Sequence, residues 1–426
     1  MFNIKLIRED YDSVRENLAK RDNEDLLIIL DDIVKIDKEM RELQIEIDQL
    51  KKEKNELSQG VNNLRKEGKD ISSVIEKVKE LPARIKIKEE AYERVKEKVM
   101  VGLKRLPNMM YRDVPEGKSD KDNKELKKWG EIKDFDFEIK NHVELIEQNN
   151  WGDFDKSGEI SGNGFYFLKG DLALLNQAII RFAIEFMSNK KYTYVEVPLM
   201  LRKEVLDAAM DTAGFEQSIY SINGEDLNLI GTSEHSLLGM HTKKTFEADE
   251  LPKRYFSYSI CFRKEIGSHG INEKGLWRTH QFNKVEQFVF CEPEDSYAFY
   301  DELLSNTEEI VQELGLPYRV IECCVGDLAV WKHRSADVEV WRPTLKEYGE
   351  ITSLSNCTDY QARDLNIKVV KDGEKRVLHT LNNTALATSR IMVAILENFQ
   401  QDDGTVLIPE VLQKYMFGKT VMKRCC

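Results

Sequence analysis

What the 426-residue sequence lacks narrows the field before any motif is read. It contains no CxxC pair, and its seven cysteines are odd in number, so neither a disulfide framework nor a zinc site is expected. The adjacent pairs Cys323–Cys324 and Cys425–Cys426 cannot both face one tetrahedral metal without strain, and all seven cysteines read as reduced thiols in a cytoplasm. Neither GxGxxG nor GxxxxGK[ST] occurs, which removes support for a dinucleotide fold or a P-loop. No apolar run approaches the roughly 18 residues of a membrane-spanning helix. The opening MFNIKLIREDYDSV carries acidic residues and no apolar core, so no secretory signal is expected. Positive charge is also short: the net charge is −13 and the pI about 5.3. That argues against DNA and wholesale nucleic-acid binding, while a local basic surface still suffices for RNA read by shape. The seven histidines are scattered singly, and none is assigned a catalytic role.

What is present is a balance of 33% charged and 41% hydrophobic residues, enough in a chain this long for two or three domains. Ile29, Ile33, Ile36, Met40, Leu43, Ile47 and Leu50 alternate spacings of four and three, the seam of a coiled coil. A second run, Ile71, Val74, Val78, Leu81, Ile85, Tyr92, Val95 and Val99, follows the same rule, with Lys88 interrupting. The turn RKEGKD (65–70) between them predicts an antiparallel helical hairpin over about 27–100. At ~1.5 Å per residue, helices of about 35 residues would reach roughly 50 Å. Pro82 should kink the second helix. Lys51, Lys52, Lys54, Arg65, Lys66 and Lys69 gather toward the tip, which reads either as a solvated face or as an RNA-binding one.

A Pro-, Gly-, Asp- and Lys-dense stretch follows, so 1–105 is expected as an N-terminal domain, 106–140 as a linker and 141–426 as the main domain. Within the last, helix-periodic segments (171–189, 293–315, 385–399) alternate with β-rich ones (YTYVEV before Pro198, then 227–231, 255–262, 276–291, 317–325, 337–342 and 349–355). The pattern predicts an α+β fold, a mostly antiparallel sheet flanked by helices.

Chemistry concentrates in RKEIGSHGINEKGLWRTHQFNKVE (263–286). With no proline or glycine inside it, the run after Gly275 can be a strand, which would put Arg278, Phe282 and Glu286 on one face; Arg263 and Glu265 would share a face of the strand before. A cation for phosphate, an aromatic ring for a base and a carboxylate for an amine outline a nucleotide-plus-amino-acid site; a strand pair with surface charges is the other reading. Arg390 stands in the middle of an otherwise apolar helix, LNNTALATSRIMVAILENFQ (381–400), so it should be buried and meet an anion, either a carboxylate of the chain or a ligand phosphate. Glu350, Thr352 and Ser353, with Ile351, form a weak hard-oxygen cluster suited to Mg²⁺; in a regular strand Ser353 would face away from Glu350 unless the strand bulges. Thr232-Ser233-Glu234 reads as a polar turn capping a helix near His235.

These segments together resemble the seryl-tRNA synthetase family of the ordinary, coiled-coil-armed type, over essentially the whole chain. FRKE…GLWRTHQFNKVE is similar to class II motif 2, NNTALATSRIMVAILEN to motif 3, the helix plus YTYVEVPLM to motif 1, TSE to the family's TxE loop, and DVEVW…YGEITSLSNCTDYQAR to its second ATP loop. The resemblance implies a class II catalytic domain, a cytoplasmic homodimer formed through about 176–198, ATP and Mg²⁺ as cofactors, and L-serine and serine tRNA as partners, with charging of selenocysteine tRNA left open. It implies that Arg263, Lys264, Glu265, Arg278, Phe282, Arg390 and Glu350 to Ser353 (Glu350, Ile351, Thr352, Ser353) bind ATP, with Arg263, Glu265, Arg278 and Arg390 catalytic and Glu350 and Ser353 serving Mg²⁺. Arg263, Glu286, Thr384 and Thr232, Ser233 and Glu234 would hold serine. Asn383, Ala385 and Ser389 replace glycines common in bacterial members, and NGF (163–165) lacks a preceding arginine often found there. Two alternatives stay open: a class II-like ligase loading a carrier protein, and a non-catalytic coiled-coil interaction protein.

Overall fold

The computed structural model describes residues 1–66, 68, 72–210, 218–265 and 274–425, and the chain divides into two compact units, Met1–Met109 and Met110–Cys426. Half of the expected RKEGKD turn (Glu67, Lys69 and Asp70) and all of 266–273 lie outside the described residues. Among the described residues no helix is long and apolar enough to cross a membrane.

In the first unit, short helices Ile4–Glu9 and Tyr11–Ala19 precede two long ones, α1 (Glu24–Lys66) and α2 (Ser72–Arg105). Seam residues Ile33, Ile47, Leu81, Ile85, Val95 and Val99 are buried where the two helices meet. Lys88, which breaks the apolar pattern, pairs with Glu46 at 2.5 Å, so that break is filled by a cross-helix ion pair, and Lys51 beside the seam pairs with Glu89 at 2.8 Å. The 43 residues of α1 span roughly 65 Å at ~1.5 Å per residue, more than the expected arm. Helix α2 runs on through Pro82, whose ring lies on the exposed side. At the base, Phe2, Leu18, Leu30, Leu103 and Leu106 form a separate small core, and the buried Asp37 carboxylate is clasped by Arg8 and Arg41.

The second unit is α+β. Its main sheet has eight strands: β1 (Lys124–Trp129), β2 (Thr193–Tyr194), β3 (Lys253–Phe262), β4 (Gln281–Cys291), β5 (Tyr318–Glu322), β6 (Arg334–Arg342), β7 (Glu347–Thr358) and β8 (His379–Ala387). The spatial order is β1-β5-β6-β7-β8-β4-β3-β2, antiparallel throughout except where β2 joins β3. Edge strand β1 falls inside 106–140, the stretch expected as a linker. Of YTYVEV only Thr193 and Tyr194 form strand, with the Val195 N–H also donating to the Phe256 carbonyl.

Helices α3 (Gly170–Asn189), α5 (Ser296–Glu313) and α6 (Thr388–Asn398) pack on one side of the sheet, around Leu175, Ile179, Val285, Val289, Leu303 and Met392. The other side holds a smaller core around Phe288, Phe290 and Phe246, shared with α4 (Ser233–Gly239). Strands β4 and β8 are therefore covered on both faces and lose the alternation of a half-buried strand. This is why 381–387 reads as helix in the sequence and is strand in the structure: LNNTALA carries no exposed face.

A buried polar knot ties α6 to the sheet. Glu397, fully buried, accepts from Thr344 Oγ1 at 2.8 Å and meets His142 Nδ1 at 3.1 Å and Arg342 Nη2 at 3.4 Å. Arg342, His142 and Thr344 hold the Glu397 carboxyl below the usual range against the opposing effect of burial. Glu397→Ala leaves the Arg342 charge without its counter-ion, and stability should drop by about 3–5 kcal/mol in denaturant unfolding.

Candidate active site

The even positions of β4 after its start, Phe282, Lys284 and Glu286, point to the Phe288 side of the sheet. There, beyond the end of the small core, the sheet floors a cavity of about 570 Å³. That lies within the range of small-ligand sites, roughly 300–1,000 Å³. Of the residues singled out in the sequence, Thr232, Glu234, Arg263, Glu265, Arg278, Phe282, Glu286, Glu350, Ile351, Thr352, Ser353, Thr384 and Arg390 line it. Lys264 and Ser233 do not: Ser233 is fully buried, and Lys264 Nζ lies 5.6 Å from the Tyr220 ring centroid.

Local geometry departs from the simple strand reading in three places. Strand β4 begins at Gln281, and 274–280 is bent chain, so Arg278 reaches the cavity from a bend and not by alternation with Phe282. Strand β3 ends at Phe262; Glu265 follows with φ +48°, a left-handed conformation, and that turn carries it to Arg278, whose Nη1 lies 3.1 Å from its Oε2. Arg390 stands in the first turn of α6 and not mid-helix; its side chain is only partly buried (21% exposed) and pairs with Glu350 at 3.3 Å.

The Glu350–Ser353 cluster owes its geometry to an irregularity. Between β6 and β7 the register pairs Asp337 with Ser353 and Val338 with Thr352, then jumps to Glu339 with Glu350, leaving Ile351 as an extra residue. The bulge turns Glu350 and Ser353 to the same face. Sheet pairing likewise sets Thr384 opposite Glu286 across β8 and β4, and the Thr384 hydroxyl donates to Glu286 Oε2 at 3.3 Å.

Phosphate-sized charge can be met at one end. Arg263 Nε donates to the Gly231 carbonyl at 3.1 Å, and its guanidinium lies 5.3 Å from the Phe282 ring centroid. Trp277, which the sequence did not flag, is a platform flanked by two guanidiniums: Arg342 at 4.2 Å and Arg390 at 5.5 Å from its ring centroid. Sequence reading also missed Lys284 and Lys332. Lys284, buried, puts Nζ 2.5 Å from Glu286 Oε2 and 2.7 Å from Thr232 Oγ1. Lys332 Nζ donates to Ser335 and Ser353 at 3.0 Å each. Lys284 was legible in principle, two residues before Glu286 on the same strand face; Lys332 was not, since only the fold brings it to Ser353.

Electrostatics separate the carboxylates. Burial and the neighbouring Glu286 push the Glu234 pKa up to about 7, and burial with Glu350 does the same for Asp337. Glu350 goes the other way: its side chain is exposed at the cavity mouth, and against the desolvation of its place in the cleft Arg390, Lys332 and Arg263 hold it below the usual carboxylate range. His235 is pushed down to about 3 by burial, Lys284 and Arg263, so it stays neutral and offers no acid–base catalyst at neutral pH. For a hard cation the fitting donors are Glu350 and Ser353, with the buried Asp337 Oδ1 lacking a hydrogen-bond partner beside them. Cys323, Asp327 and Asp337 also bring one ligand atom each within 4.8 Å, but burial pushes the Cys323 thiol far up, which makes it a poor thiolate donor.

Two family descriptions match: "Seryl-tRNA synthetase N-terminal domain" over residues 1–110 and "tRNA synthetase class II core domain (G, H, P, S and T)" over 215–399. The chain is 47% identical over 421 residues to a serine–tRNA ligase from Methanocella arvoryzae, covering 98% of this chain and 99% of that one. Among solved structures, a seryl-tRNA synthetase from Pyrococcus horikoshii complexed with ATP superposes with a TM-score of 0.94 at 39% identity, covering both chains completely. A cytoplasmic serine–tRNA ligase from Naegleria fowleri in complex with AMP superposes with a TM-score of 0.90 at 29% identity, over 100% of this chain and 99% of that one.

Proposed function

The chain belongs to the seryl-tRNA synthetase family, and from that premise we propose how its cavity joins serine to tRNA in an ATP-dependent reaction. The observation that carries the assignment of roles is the convergence in one cavity of three arginines, the Phe282 ring and two carboxylates, the half-buried Glu234 and the buried Glu286.

In the first step the serine carboxylate attacks the α-phosphorus of ATP, forming the seryl-adenylate anhydride as pyrophosphate leaves. The nucleophile is already ionised at neutral pH, so no general base is needed, which agrees with a site whose buried histidine stays neutral. Catalysis is then alignment and neutralisation of charge developing on phosphate oxygens. Arg263 grips the α-phosphate and the serine carboxylate, while Phe282 and Glu265 frame the adenine. Arg278 and Arg390 take the γ-phosphate end, and Arg390 must exchange Glu350 for phosphate oxygens when ATP enters. Glu350 and Ser353 would hold Mg²⁺, which neutralises phosphate charge when bound with ATP. In the second step the ribose at the tRNA 3′ end attacks the activated carbonyl and AMP leaves.

The serine ammonium is assigned to Glu286, Thr232 and Glu234, and the hydroxyl to Thr384. Lys284 already balances Glu286, so Glu234 is the carboxylate with net charge to give. Alanine has no hydroxyl to bond with Thr384 and Glu286 and forgoes that interaction, which is how the pocket would favour serine over it. Threonine is excluded by space. The dimer contact is assigned to about 176–198, the compartment to the cytoplasm, and serine tRNA is the acceptor; selenocysteine tRNA is a second acceptor to be tested by charging assays.

Amino-acid-dependent ATP–pyrophosphate exchange across all amino acids tests the reading. Serine should drive exchange; exchange with alanine or threonine and none with serine would sink it. A pH profile tests the pocket. Glu234 must be ionised to receive the ammonium, and Glu286, Lys284, Lys332 and Gln361 face it. Above its pKa of about 7 the carboxylate is charged, and below it protonation removes the attraction. The serine KM should therefore rise as pH falls from about 7, by up to about tenfold per unit. Glu234→Gln should flatten that rise, and a steep rise persisting in the variant would assign the titration to another group.

A further inference from the structure

Glu234 is held by a residue that lies outside the cavity wall. Gln361, in the short helix Tyr360–Asp364, is fully buried and spends its whole amide on three separate segments. Its Nε2 donates to Glu234 Oε1 at 2.8 Å and to the Ala209 carbonyl at 2.9 Å, and its Oε1 accepts from the Thr380 hydroxyl at 2.8 Å. The orientation of the amide is forced. A backbone carbonyl can only accept and so can a carboxylate, so the NH₂ end must face both; the hydroxyl, able to donate, takes the oxygen.

The three segments tied together are those that shape the amino-acid end of the cavity. Ala209 ends the helix Lys203–Ala209, whose Leu206 and Ala209 line the wall. Thr380 lies on β8, the strand that carries Thr384 four residues on. Glu234 lies in the first turn of α4, its N–H donating to the Thr232 cap. We propose that Gln361 is a positioning residue of the serine pocket: it sets the rotamer of Glu234 and stabilises the carboxylate as an acceptor aimed at the substrate ammonium. The proposal rests on the reading that Glu234 receives that ammonium. A half-buried carboxylate beside the buried Glu286 is repelled toward the protonated state or another rotamer, and a fixed N–H donor opposes both.

The test is Gln361→Met, similar in length and without the donors, with serine and ATP KM values taken separately from pyrophosphate exchange over a pH series. The serine KM should rise about tenfold, the ATP KM should stay within about twofold, and the midpoint of the serine pH profile should move up. A wild-type serine KM with an unmoved midpoint overturns the proposal, as does an equal rise in both KM values, which a merely structural residue would give. Should Gln361→Met fail to fold, Thr380→Val loosens the same amide while sparing its two donations. It should raise the serine KM about two- to threefold with ATP unaffected, and an equal change in both overturns the proposal. Glu234→Gln run alongside separates the two levels of inference. An unchanged serine KM there overturns the pocket reading itself, whereas a raised value there with a wild-type value in Gln361→Met overturns only the part given to Gln361.

Discussion

Arg263→Ala should lower serine-dependent pyrophosphate exchange by about 10²- to 10³-fold, the scale seen when one preorganised donor to developing charge is removed. The residue sits directly after β3, with one guanidinium nitrogen anchored on the Gly231 carbonyl and the plane near Phe282, so its direction is set before any ligand arrives. Such a group costs no reorganisation at the moment of reaction. Lysine should restore little, because a flexible point charge lacks the planar fork that can hold the Gly231 carbonyl and a phosphate together. The side chain is only partly buried, so the variant should fold and its unfolding transition should match the parent. Exchange within about threefold of the parent would move the α-phosphate grip to another residue.

Deleting residues 40–90 and joining the helices by a short turn should abolish tRNA charging while leaving serine-dependent exchange near the parent value. The two helices bury their seam against each other, and the base core around Leu18, Leu30, Leu103 and Leu106 lies outside the deletion. The cut therefore removes surface for a partner without emptying a core. The charges it removes are nearly balanced, and most of those among the described residues are exposed, as suits a surface that follows the shape of an RNA more than its charge density. Equal loss of charging and exchange would mean that the arm supports the fold and not the acceptor.

The two activities are legible in the sequence to different degrees. The arm is almost wholly local: a heptad pattern states which residues meet, and Ile33, Ile47, Leu81, Ile85, Val95 and Val99 are buried as the spacing requires. Even its flaw at Lys88 is resolved by a residue on the facing helix, Glu46. In the catalytic unit the motifs contain most of the cavity residues, but alternation along a strand accounts for only part of their convergence. Arg263, Glu265 and Arg278 meet through a left-handed turn and a bend, and alternation along a strand does not bring them together. Residues 381–387 looked helical because strands covered on both faces show no period of two.

What the sequence determined by itself is everything carried by neighbours in the chain: the arm, the α+β composition, the order of motifs and thus the family, and the residue types able to bind phosphate, base and ammonium. Tertiary structure decided what depends on pairing across the sheet. Register and a single extra residue at Ile351 bring Glu350 to the side of Ser353; strand order sets Thr384 against Glu286; and packing between distant segments supplies Lys332, Trp277 and Gln361. The reason is range. Periodicity and motif spacing act over a few residues, whereas a site charge is balanced by whichever group the fold folds over it, and no local pattern records that partner.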